Sequence, residues 1–123
     1  MSFDWFDYIN IAEILHSQGK GGEFEQACFR CAVSRSYYAA FIFSKKYAET
    51  KDQNFEIDGG SSHKRVIEYF TKNKNPRLQI IGEDLKNLKK QRINSDYKDE
   101  PKFNSLAVEN WIKTSKNIIE DLK

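Results

Sequence analysis

Apolar residues recur along the chain at spacings of three and four, the period of a helix with one buried face. Five segments carry that pattern, and no stretch alternates in the two-residue rhythm of a strand. The first is expected from about Phe3 to Ser17. Ser2 is a candidate N-cap, Asp4 and Asp7 suit the positive end of the helix, and Trp5, Tyr8, Ala12 and Leu15 form the stripe. The run GKGG at 19–22 breaks it. The second helix is expected from about Glu23 to Lys51, roughly 40 Å long at 1.5 Å per residue. Between Ala32 and Phe43 it is apolar on nearly every side, as for a helix with several neighbours. A loop, KDQNFEIDGGSS, follows, with Gly59 and Gly60 turning the chain and Ser61 or Ser62 capping a third helix, HKRVIEYFTK. After the turn NKNPR, with Pro76 near the next helix start, a fourth helix is expected from about Leu78 to Asn94. A fifth runs from about Ser105 to Leu122, with Phe103, Ala107, Trp111, Ser115, Ile118 and Leu122 along one face. The pattern predicts a single all-α domain over residues 1–123, a bundle of about five helices with a long central second helix.

Two places break the pattern. On the fourth helix Leu78, Ile81, Leu85 and Leu88 make a stripe, and its next position is Arg92. On the second, Phe24, Cys28, Cys31, Arg35, Tyr38 and Ile42 follow helical spacing, so Arg35 also falls on a candidate inward stripe. A buried guanidinium needs a partner. Either an acid neutralises each arginine, with Asp96 or Glu13 as candidates for Arg35, or the two line a polar cleft that takes an anion. Asp96 lies four beyond Arg92, on the same face if the helix persists. Tyr97 lies about 140° round from Arg92 and shares the cleft only if the helix ends or bends near Asn94 and Ser95.

Charge strengthens the anion reading. Over the whole chain 20 Lys and Arg stand against 18 Asp and Glu, net +2. Residues 61–98 hold ten basic and four acidic residues, net +6, whereas residues 1–60 are net −3 and residues 99–123 net −1. A basic centre suits a phosphate backbone, although a solvated lysine-rich face would look the same. At 123 residues the chain is long enough for a core without disulfides. No apolar run is long enough for a membrane span, and the acidic start MSFDWFDYIN does not read as a signal peptide, so a cytoplasmic location is expected. Cys28 and Cys31 form a C-x-x-C inside a helix and read as small core residues rather than a redox or zinc motif. His63 opens the third helix and His16 ends the first; they are the only histidines, the groups that ordinarily titrate near neutrality.

Three segments in order, AVSRSYYAAF (32–41), SHKRVIEYF (62–70) and LKKQRINSDY (88–97), resemble the single-domain prokaryotic HEPN family, higher-eukaryote and prokaryote nucleotide-binding. The pattern is R-x-Y-Y-A-x-F on the second helix, a histidine at a helix start, and R-x-x-A-D-Y ending the fourth, here with Ser95 in place of the alanine. The resemblance covers about residues 5–120. It implies a helical bundle that often dimerises, with the second and fourth helices lining a shared cleft. Many members are metal-independent ribonucleases in toxin, phage-defence or RNA-processing roles, and some pair with a nucleotidyltransferase on a separate chain. Their nuclease motif is an Arg, then four to six residues, then His. Arg92 matches the arginine; the residue five beyond it is Tyr97, and no histidine follows.

Metal-free RNA cleavage needs a base for the 2′-hydroxyl, an acid for the leaving oxygen and positive charge on the phosphate. The resemblance places Arg92 as the phosphate clamp, with Asp96, Tyr97 or His63 moving protons and Arg35, Lys89 and Lys90 binding RNA phosphates. No cofactor or metal is called for. The alternative is a module without catalysis that binds RNA or nucleotide, or docks a nucleotidyltransferase.

Overall fold

The computed structural model describes residues 2–52, 55 and 62–123. They form five helices and no strand: α1 (Asp7–Gly19), α2 (Glu25–Lys51), α3 (Ser62–Thr71), α4 (Pro76–Tyr97) and α5 (Ser105–Asp121). The all-α expectation is met. Gly59, Gly60 and Ser61 lie outside the described residues.

α2 is the common wall. On one side Phe29, Ala32 and Val33 meet Ile9 and Ala12 of α1 and Val108, Ile112 and Ile119 of α5. On the other, Tyr37, Ala40 and Phe41 meet Val66 and Phe70 of α3 and Ile81, Leu85 and Leu88 of α4. Small residues at 32, 36, 39 and 40 let partners approach α2 from both directions. Gly82 does the same between α3 and α4: a Cβ there would stand 2.6 Å from the Thr71 backbone nitrogen. Gly21, at φ +76°, makes the turn between α1 and α2 in the left-handed region that glycine enters freely.

Several boundaries differ from the sequence expectation. α1 begins at Asp7 rather than Phe3, and Ser2 does not cap it. Asp4 folds the preceding turn instead, its carboxylate accepting from the Phe6 amide at 3.0 Å. Phe3, Trp5 and Tyr8 gather their rings beside that turn. α4 is longer than expected at both ends. Asn75 caps its start, accepting from the Arg77 amide at 2.9 Å, with Pro76 in the first turn where its missing N–H costs nothing. Its far end continues to Tyr97 for a reason given below. On α5 Ser115 and Ile118 are buried as expected, with Phe103 just before the helix, while Val108, Ile112 and Ile119 widen the buried face to one side and Trp111 sits at its edge. The two cysteines are not core residues: Cys28 is half-buried against Gly19, and Cys31 is exposed. Among the described residues no helix is long and apolar enough to cross a membrane.

Candidate functional site

The α4 stripe is buried as its spacing requires, Leu78, Ile81, Leu85 and Leu88 each at 5% exposure or less, and Arg92 continues it at 8%. The guanidinium carbon lies 5.5 Å from the centre of the Tyr38 ring and 5.7 Å from that of Tyr37, both on α2. Aromatic faces attract a cation, but they supply no hydrogen-bond acceptor of carboxylate strength. Among the described residues the one carboxylate in reach is Asp96, with Oδ2 3.8 Å from Nη1, at the outer limit of an ion pair. That same oxygen accepts from the Ser34 hydroxyl at 3.2 Å. Among the described residues, Arg92 Nε is buried with no hydrogen-bond partner. A buried charge with incomplete hydrogen bonding is costly. An anion that reached this guanidinium would complete its hydrogen bonding.

His63, at the start of α3, reaches the same aromatic pair. Its ring stacks on Phe41, with centroids 4.1 Å apart and planes 16° apart, and stands edge-on to Tyr38. Nδ1 lies 2.7 Å from the Tyr37 hydroxyl. Among the described residues, nothing bonds Nε2. Burial lowers the imidazole pKa from 6.5 to about 4, and the positive charges of Arg92 and then Lys89 add to the effect. His63 is thus neutral at physiological pH. Burial pushes the Tyr37 phenol far up, against the opposing pull of Arg92, so it keeps its proton. One member of this pair donates and the other accepts, which fixes the imidazole ring in place.

Arg35 is half-buried at the mouth of the cleft, its guanidinium over the rings of Tyr8 at 5.3 Å and Tyr38 at 5.5 Å. Its expected inward stripe is an edge, since Phe24 and Cys31 on the same line are exposed. Neither candidate acid pairs with it: Asp96 faces Arg92 and Ser34, and Glu13 pairs with Lys116 at 3.4 Å. Lys89 is half-buried on the His63 side, and Lys90 is exposed. Tyr97 is 73% exposed. Because α4 runs unbroken to this residue, the ideal helical angle holds and the phenol points away from Arg92.

α4 holds its length because Arg30 of α2 caps it. The Arg30 guanidinium donates to the carbonyls of Asn94 (3.3 Å), Ser95 (3.0 Å), Lys98 (2.6 Å), Asp99 (3.5 Å) and Pro101 (2.7 Å). These include carbonyls that a helix end leaves without partners. Gln26 clamps the following segment, bonding both the amide and the carbonyl of Phe103. Sequence reasoning missed Arg30, Ser34 and Tyr37 as site residues. Only Tyr37 carried a signal, as part of the RSYYAAF segment.

His16 serves the other side of the bundle. Its Nε2 lies 3.0 Å from the Ser105 carbonyl, a bond in which the ring must donate. It borders a surface depression of about 750 Å³ between α1 and α5, in which Glu13 and Lys116 pair with each other. That depression is remote from Arg92. Among the described residues no three His, Cys, Asp or Glu side chains converge as a metal site would need.

No curated protein and no solved structure matches the chain. A protein-family model does: the HEPN domain aligns with residues 8–123, from the first helix to the last residue. The all-α bundle of five helices agrees with that match. The chain belongs to the HEPN domain family, whose members are concerned with nucleotides and RNA.

Proposed function

We propose that residues 1–123 act as one HEPN-type domain that cleaves RNA without a metal, in the cleft where Arg92, His63, Tyr37 and Tyr38 meet. The observation that carries this reading is the incomplete partnering of Arg92, whose Nε is buried and unbonded among the described residues. A phosphodiester oxygen is an acceptor of the right charge for it. In this scheme Arg92 holds the scissile phosphate and offsets the charge that builds up as the 2′-oxygen attacks. Neutral His63, oriented through Nδ1 by Tyr37, takes the 2′-hydroxyl proton at its open Nε2. The leaving oxygen is protonated from the open side of the cleft. Asp96 positions Arg92 through their long contact, and Arg35 and Lys89 draw in the neighbouring phosphates. His63 thereby fills the role of the histidine missing from the end of α4.

A second reading is a module that binds RNA or nucleotide without cutting, as a homodimer or beside a separate nucleotidyltransferase chain. The exposure of Tyr97 favours it, since the residue standing near the position of the nuclease motif's histidine then brings no proton carrier to Arg92. Incubation of the protein with labelled single-stranded and structured RNAs in EDTA, beside Arg92→Ala, separates the two. Cleavage that the variant loses supports the ribonuclease. Salt-sensitive binding without cleavage supports the module.

A further inference from the structure

The outward face of α4 carries a groove that shares only Lys89 with the cluster around Arg92. It is shallow, about 380 Å³, and is lined by Lys86, Lys89, Lys90, Ile93, Asn94 and Lys98. Four of these six are lysines and none is acidic. Among the described residues none of the four has a carboxylate within ion-pair distance. Lys86, Lys89, Lys90, Ile93 and Tyr97 follow helical three-and-four spacing, so Tyr97 continues the same face one turn beyond Ile93. An aromatic ring 73% exposed does little for the fold. The carbonyl end of α4 would repel an anion here, but Arg30 has already occupied it. Lys89 lies three residues before Arg92, on the adjoining turn of α4, and so links the groove to the Arg92 cluster.

We propose that this face of α4 is a track for single-stranded RNA, in which Lys86, Lys89, Lys90 and Lys98 hold successive phosphates and the Tyr97 ring stacks a base. Cationic side chains along a groove with an aromatic platform are the physical requirements for binding an unpaired strand. A duplex would keep its base faces covered and leave Tyr97 nothing to stack on. From Lys86 to Tyr97 the helix rises about 16 Å, room for a few nucleotides rather than one. The track rests on the RNA reading above and specifies the form of RNA. It makes Tyr97 a stacking surface rather than a proton carrier.

The test is fluorescence anisotropy with a labelled 2′-O-methyl oligonucleotide, which has no 2′-hydroxyl to attack, single-stranded and as a duplex. The wild type should bind the single strand more tightly, with a log–log salt slope of about −3 for four phosphates. Lys86→Gln with Lys98→Gln should roughly halve that slope. Tyr97→Ala should weaken binding by about 5- to 100-fold, and Tyr97→Phe should bind like the wild type. All three positions are exposed, and thermal melts check that the variants fold. Tyr97→Ala binding like the wild type would overturn the track, as would a preference for duplex. So would a loss of cleavage in Tyr97→Phe with binding intact, which would make the hydroxyl the working group. If wild type cleaves or binds RNA and these variants do not differ, the track alone falls. If wild type does neither, the RNA reading falls and takes the track with it.

Discussion

Two arginines flank the last turns of α4, and the fold treats them differently. Arg30 spends its guanidinium on five backbone carbonyls. Arg92, more deeply buried, has among the described residues two tyrosine faces, one carboxylate at 3.8 Å and an Nε without a hydrogen bond. A guanidinium with its donors matched is part of the scaffold. One left short is, under the proposal, completed by the phosphate of RNA. The difference lies in acceptors supplied, not in burial, and it can be broken at either arginine.

The largest effect should come from Arg92→Ala, which should lower RNA cleavage by about 10²- to 10³-fold, the usual cost of losing one stabilising donor. The same side chain should matter little to stability. Arg92→Met, which fills the space without the charge, should unfold in urea within about 1 kcal/mol of wild type. A large loss of stability would mean that the Asp96 contact is a structural ion pair. Arg30→Met should do the reverse, destabilising the chain by about 2–3 kcal/mol as several charge-assisted bonds vanish, while chemistry at 25 °C changes far less.

His63 sharpens the comparison through pH. Its folded pKa of about 4 lies below the ordinary 6.5, so between those values the folded state holds fewer protons than the unfolded. The stability tied to the neutral ring is therefore complete above about pH 6.5, declines as pH falls towards 4 and is flat below. His63→Asn should remove that component from the stability–pH profile. Histidine-ring NMR should show the pKa moving upward in Arg92→Met, and upward again when oligonucleotide binds, because both changes reduce the positive charge around the ring. An unmoved resonance would separate His63 from the arginine. The smallest effect should be Tyr37→Phe, which loses one hydrogen bond to His63 and about 1 kcal/mol of stability by urea unfolding.

The helices are legible in the sequence because their apolar spacing is local information. Arg92 is legible for the same reason: a charge on a leucine stripe is an anomaly that the sequence displays. The face of α5 is legible in part: Phe103, Ser115 and Ile118 are buried as their spacing suggests, but only packing shows that Val108 and Ile112 lie deeper than Ala107 and Trp111. Arg35 is easily overread, because a stripe with an exposed Phe24 at its head is a helix edge. Arg30 is invisible. Its partners are backbone carbonyls more than sixty residues away, and backbone carries no sequence signature. The Tyr37–His63 bond is hidden likewise, joining two helices across a separation that spacing rules do not reach.

The shared wall formed by α2 has a dynamic consequence. Because Phe29 and Val33 belong to one core and Tyr37 and Phe41 to the other, neither half of the bundle can open without stripping contacts from the same helix. The two halves should melt together as one cooperative unit, and the central amides of α2 should exchange with solvent only through global unfolding. The cleft is thus mounted on the slowest-breathing segment of the molecule.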